Sequence, residues 1–222
     1  MIPVKIVSKD PLNKVKLIVI YLGNTCNFDC VYCDRGYIEN LGGQNLNSKT
    51  VDELKEFFEW VDSQPNELLR ISFHGGEPLL FNKRMDQVME WLHPMAVRNG
   101  WKVSVTTNGS LVKENEYWFK KYKGVLCATV SYDFSYQKVN RSEFNVYEMA
   151  QVLNENCEEW KWQFVIPIDD PKSFSFDNIK EIVNTCYRTN CRVINIIPLR
   201  HKRGKEKFDV IIDRVNLPQF LE

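Results

Sequence analysis

Cys26-Asn27-Phe28-Asp29-Cys30-Val31-Tyr32-Cys33 is the stretch that decides how this chain reads. It gathers three of the seven cysteines directly behind an apolar run over residues 15–22. Thiolates spaced C-x-x-x-C-x-x-C on a short loop can wrap one face of an iron–sulfur cubane and ligate three of its irons, because such clusters are held by cysteine sulfur. One iron is then left without a protein ligand, and an open coordination position separates a reactive metal site from a structural one. The same spacing admits zinc if a further ligand, such as His74, completes the set.

Outward from this loop the chain alternates. The run before it is mostly apolar and rich in β-branched residues, as expected of a strand buried on both faces. Further strands are predicted over 68–73, 101–106, 125–130, 160–168 and 192–197, with a leading strand over 2–7. Helices are predicted over 50–63, 85–99, 114–122, 143–156 and 176–188. Thr50 and Glu53 have capping-box spacing, Ser142 stands at an N-cap, Gly100 at a C-cap, and Pro94 is placed to kink its helix. Six strands alternating with helices make an α/β domain with a parallel sheet. Right-handed crossovers curl it into a partial (β/α)6 TIM-like barrel. We expect a single domain: an N-terminal extension over 1–15, the barrel over 16–200 and a short tail over 201–222.

The polar stretches fall just after strands: the cysteine loop, Gly75-Gly76-Glu77-Pro78, Thr107-Asn108-Gly109, and Ser131-Tyr132-Asp133. In a (β/α) barrel those loops meet at one mouth, where active sites sit. Glycines in such a turn let backbone approach a ligand without a Cβ in the way.

With the cysteine loop, these motifs resemble the radical S-adenosylmethionine (radical SAM) superfamily. The resemblance implies a [4Fe-4S] cluster on Cys26, Cys30 and Cys33, with SAM chelating the remaining iron. It places Tyr32 near the SAM adenine, and Gly75, Gly76 and Glu77 at the α-ammonium. Asn108, Ser131 and Arg141 are its candidates for the SAM carboxylate and ribose. Plainer readings stand beside these: packing for Tyr32, turn or cap chemistry for Asn108 and Ser131, a surface ion pair for Arg141, a packed histidine for His74. The implied reaction reduces the cluster, breaks the sulfonium C–S bond and yields methionine and a 5′-deoxyadenosyl radical, which takes hydrogen from a substrate. No catalytic residue beyond the cluster is assigned; Asp133, Asp169, Asp170 and His201 lie near the mouth, where capping or solvation explains them.

The string from Phe73 to Leu80 most resembles the branch of anaerobic sulfatase-maturing enzymes and SPASM peptide maturases, without the cysteine-rich SPASM extension after Cys191. That branch implies a peptide or protein side chain as substrate and a reductant such as flavodoxin or ferredoxin. The alternatives are the same chemistry on a nucleotide or modified-base precursor, held by Arg200, Lys202 and Arg203, or a non-catalytic metal–cysteine sensor.

Composition sets the remaining bounds. The 222 residues are 44% hydrophobic and 26% charged, with a formal net charge of +0, so bulk electrostatics calls for neither nucleic acid nor membrane. No run approaches the roughly 18 apolar residues of a membrane span, and the start lacks a secretory layout. The odd, clustered cysteines do not form a disulfide framework, and a cytoplasmic location is expected. Cys127 within the fourth strand and Cys157, Cys186 and Cys191 at the barrel's far face read as small buried hydrophobes, with a second cluster on the latter three as the alternative.

Overall fold

Six parallel strands form one sheet in the computed structural model, which describes residues 15–28, 30, 48–65, 67–68, 70–132, 144–167, 176–191 and 193–199. The strands are β1 (Leu17–Tyr21), β2 (Arg70–His74), β3 (Lys102–Thr107), β4 (Leu126–Tyr132), β5 (Glu159–Pro167) and β6 (Ile194–Leu199). Between them run α1 (Ser48–Ser63), a 3-10 helix (Pro78–Phe81) continuing into α2 (Asn82–Asn99), α3 (Glu116–Lys121), α4 (Val146–Asn156) and α5 (Phe176–Arg188). Spatial order equals chain order, so every crossover delivers the chain to the next position in the sheet. Among the described residues β1 and β6 do not pair, and the barrel is open.

Register divides the sheet into two chemically different faces. One row runs Ile20, Phe73, Val105, Ala128, Trp160 across five strands, and all five side chains are buried. These residues meet the inner faces of the helices, including Phe58, Met89, Phe119 and Leu153, in one continuous core. Phe58 of α1 packs between Trp91 of α2 and Trp101 at the head of β3, with ring centroids 5.7 and 6.3 Å away. Truncating a fully buried phenylalanine of this kind costs about 3–5 kcal/mol.

The opposite face is polar. Its rows read Val19, Ser72, Ser104, Cys127, Glu159, and then Thr106, Thr129, Lys161. Ser104 donates to Ser72 at 2.8 Å, and Arg70 of β2 reaches Glu159 of β5 at 3.6 Å across two intervening strands. That reach is the curl of the sheet made visible, since a flat sheet would hold these side chains far apart. A closed barrel fills its interior with branched apolar layers; here the interior is lined with hydroxyls and charges.

This corrects the expectation that β1 is buried on both faces. Ile20 is buried, whereas the inner-face residues Leu17 and Val19 are 51% and 50% exposed. An open barrel with a polar interior supplies no apolar layer to cover them. Helix starts shift too. The cap of α4 is Asn145, whose side chain accepts from the Tyr147 and Glu148 backbone N–H groups, and not Ser142. Helix α1 begins at Ser48, which puts Thr50 inside the first turn instead of at the cap. Gly100 does cap α2, at φ 68°, and Pro94 lies inside a helix that continues to Asn99. The expected leading strand over 2–7 lies outside the described residues. No helix among the described residues is long and apolar enough to cross a membrane.

Candidate active site

The tops of β1 and β2 are joined beyond their ladder. Leu22 donates its N–H to the His74 carbonyl at 2.8 Å, Gly76 to Gly23 at 2.8 Å, and Glu77 to Thr25 at 2.9 Å. These bonds continue strand pairing into the loops and lay the cysteine loop against Gly75-Gly76-Glu77. The approach excludes side chains. A Cβ on Gly75 would meet the Gly23 carbonyl oxygen at 2.6 Å, and one on Gly76 would meet the Thr25 oxygen at 2.3 Å. Glycine is required at both positions by close contact with the backbone of residues 23–25.

Glu77 is fully buried. Its Oε1 accepts from the Thr107 hydroxyl at 2.7 Å and the Leu79 N–H at 3.1 Å, and its Oε2 accepts from the Asn108 N–H at 2.7 Å. The carboxylate thus braces the loop after β3 against the loop after β2 and caps the 3-10 helix. Among the described residues the Glu77 side chain is buried and directed at Thr107, Leu79 and Asn108.

Asn108 is also buried, and it faces the cysteine loop. Its Nδ2 lies 2.9 Å from Asn27 Oδ1 and 3.9 Å from Cys26 Sγ, while its Oδ1 accepts from the Ser110 N–H at 3.0 Å and hydroxyl at 2.7 Å. Asn27 Nδ2 donates to Ser110 Oγ at 2.9 Å, closing a ring of three side chains between the loops. Asn27 and Ser110 escaped sequence reasoning. Their one signal is position, since Asn27 lies within the cysteine motif and Ser110 directly follows Thr107-Asn108-Gly109.

Ser131 lies near the end of β4 on the inner face, where its Oγ accepts from Gln163 at 3.2 Å. His74 ends β2 on the same face, with its Nε2 3.2 Å from the Thr106 hydroxyl. Burial holds its imidazole below its ordinary pKa. Cys26, Asn108, Glu77 and Gly75-Gly76 are therefore brought together at one end of the sheet. Tyr32, Cys33, Arg141, Asp133, Asp169, Asp170, Arg200, His201, Lys202 and Arg203 lie outside the described residues.

Of the other cysteines, Cys127, Cys186 and Cys191 are buried and Cys157 is partly buried. Cys127 lies in β4, Cys157 caps the end of α4, and Cys186 and Cys191 flank the turn after α5. Burial raises all four thiols, Cys186 to about 12.

Cys26 and Cys30, by contrast, are partly exposed and free of disulfides. The Phe28 N–H points to Cys26 Sγ at 3.4 Å. Soft sulfur donors on a loop beside a side-chain-free backbone floor fit an iron–sulfur cluster and a ligand laid against Gly75-Gly76.

Comparison with known proteins points the same way. The sequence profile of the Radical SAM superfamily matches residues 20–161, more than half of the chain. The 4-hydroxyphenylacetate decarboxylase activating enzyme of Clostridioides difficile (strain CD196) is 23% identical over 164 residues, 72% of this chain and 50% of that protein. Among solved structures, Streptococcus suis SuiB bound to S-adenosylmethionine superposes with a TM-score of 0.64 at 20% identity, over 90% of this chain and 44% of SuiB. Native anSMEcpe with bound AdoMet and the Cp18Cys peptide gives 0.63 at 16% identity, over 87% and 54%. This chain thus spans about half the length of these three proteins. The family uses a [4Fe-4S] cluster and SAM. With its cysteine loop held against the Gly-Gly-Glu turn on an open six-stranded parallel barrel, this chain belongs to the radical SAM superfamily.

Proposed function

We propose that this chain is a radical SAM enzyme that removes a hydrogen atom from a peptide or protein side chain. The observation that carries the reading is the pair of backbone bonds from Gly76 to Gly23 and from Glu77 to Thr25, which hold a cysteine loop against a side-chain-free floor. In the reading, Cys26, Cys30 and Cys33 hold a [4Fe-4S] cluster, and a flavodoxin or ferredoxin supplies the electron. When bound, cluster and SAM supply the 5′-deoxyadenosyl radical, and the chemistry is theirs.

The protein's share is placement. Backbone of Gly75–Glu77 receives the SAM ammonium, Ser131 and Arg141 its carboxylate, and Tyr32 its adenine. Glu77 and Asn108 fix the loops on which those groups stand. The inner face of the barrel, polar and open along one side, receives the substrate. A peptide is favoured because two proteins of the same fold are solved with a peptide bound: SuiB with its precursor peptide SuiA, and anSMEcpe with the Cp18Cys peptide.

Anaerobic reconstitution tests the radical chemistry. About four irons per chain are expected, with 5′-deoxyadenosine released from SAM by dithionite and lost in Cys30→Ala. Retained zinc, or a cluster that never cleaves SAM, would overturn the reading. The substrate class is tested by mass spectrometry of 5′-deoxyadenosine formed with a perdeuterated peptide digest or with a perdeuterated small-molecule extract. Deuterium is expected from the first; deuterium from the second alone would move the assignment to a small molecule.

A further inference from the structure

We propose that Asn108 positions and tunes the cluster: its side-chain amide donates a hydrogen bond to the Cys26 thiolate and raises the reduction potential of the bound cluster. The inference rests on the cluster ligation proposed above and extends it to a residue outside the ligand set.

The orientation of the amide is fixed by the backbone. An asparagine side chain can be turned over without changing its shape, so its oxygen and nitrogen must be assigned from their partners. Here the Ser110 N–H, which can only donate, lies 3.0 Å from Asn108 Oδ1. That oxygen therefore faces Ser110, and Nδ2 faces the cysteine loop. The ring then closes in one sense only. Asn108 donates to Asn27 Oδ1, Asn27 donates to Ser110 Oγ, and the Ser110 hydroxyl returns its proton to Asn108 Oδ1. One hydrogen of Asn108 Nδ2 is spent on Asn27. The other is directed at Cys26 Sγ, 3.9 Å away.

Burial makes this donor count. Asn108 is 8% exposed, so few waters compete for the sulfur on that side. Its backbone is pinned by the buried Glu77 carboxylate at 2.7 Å, which sets how far the side chain reaches. With the Phe28 N–H at 3.4 Å, Cys26 faces two donors, one from its own loop and one from the loop after β3. Hydrogen bonds to ligating sulfurs withdraw charge from the cluster and stabilise its reduced form. Asn108 therefore couples the third βα loop to the potential at which the first accepts an electron.

The experiment is an EPR-monitored redox titration of the reconstituted wild-type chain, Asn108→Leu and Asn108→Asp. Asn108→Leu removes the donor at similar volume, and its potential is expected to fall below wild type. Asn108→Asp keeps an acceptor for Ser110 but turns a negative oxygen toward the sulfur, and its potential is expected to fall further. Loosening of the loop alone would admit water and move the potential upward, so direction separates tuning from damage. Equal or raised potentials in iron-loaded variants would overturn the inference while leaving the cluster assignment intact. A wild-type chain that binds no iron would overturn both. If neither variant holds iron, wild-type protein carrying 15N in its asparagine side-chain amides decides: electron spin echo modulation from a coupled 15N is expected on the reduced cluster, and its absence would overturn the inference.

Discussion

Glu77 Oε2 accepts the backbone N–H of Asn108 at 2.7 Å, joining residues 31 positions apart at the tops of neighbouring strands. The carboxylate is fully buried, and its other oxygen takes Thr107 and Leu79. Charge-assisted bonds to buried donors are the strong ones. In Glu77→Gln, an amide NH2 must face at least one of these donors, and leaving it unpaired costs about 1–3 kcal/mol. Urea denaturation of the two chains is expected to show that loss as a lowered midpoint. Coincident curves would sink the bracing role.

Gly76→Ala should damage the site by geometry alone. The new Cβ would lie 2.3 Å from the Thr25 oxygen and 2.4 Å from that of Asn24, so the two loops must separate. Overpacking against backbone costs about 1–3 kcal/mol and sometimes more. Gly100→Ala is the comparison: nothing lies within 4 Å, and only its left-handed φ of 68° penalises a side chain, by about 1–2 kcal/mol. The melting temperature of Gly76→Ala is expected below that of Gly100→Ala, and iron uptake is expected to fall only in the former. Equal losses would show that the loop contact is not tight.

Much of this was legible because it was carried by local pattern. The row Ile20, Phe73, Val105, Ala128, Trp160 is apolar in every strand that contributes to it, and the five crossovers between strands left little choice of topology. The cysteine loop, the Gly-Gly-Glu turn and Asn108 converged because each follows a strand, whereas Ser131 and Tyr132 lie within β4. What stayed hidden depends on contacts between distant segments. Leu17 and Val19 look like core residues, and only the polar lining contributed by other strands leaves them uncovered. That Glu77 also bonds Thr107 and Asn108 across the sheet could not be read from its own motif. Ser142 looks like the cap in sequence, yet the Tyr147 and Glu148 N–H groups are taken by Asn145.

Thiol chemistry should sort the cysteines before any metal is added. Cys26 and Cys30 are partly exposed on the loop, whereas burial pushes the Cys186 thiol to about 12 and raises Cys127, Cys157 and Cys191. The thiolate is the reactive form, and at pH 8 its fraction in a thiol near 12 is roughly a thousandfold below that of an ordinary cysteine. Iodoacetamide on the metal-free chain, read by peptide mass spectrometry, is expected to modify Cys26 and Cys30 at least about a hundredfold faster than Cys186. Comparable rates would show that the far-side thiols are not enclosed.

His74 should leave a mark on the pH dependence of stability. Burial lowers its pKa in the folded chain from the 6.5 of an exposed imidazole. As pH falls through about 6.5, the unfolded chain takes up the proton first, so it binds more protons than the native state and stability drops. Above that pH both states carry neutral imidazole, and the contribution is fully present. It is lost progressively down to the folded pKa. The urea midpoint is therefore expected to fall as pH is lowered from about 7 to about 5, and part of that fall should vanish in His74→Gln, which keeps a polar group for Thr106. Carboxylates also titrate at the acid end of this range, but they are common to both chains and cancel in the difference. Parallel midpoint-against-pH curves for the two chains would show that His74 is no more buried than in the unfolded chain.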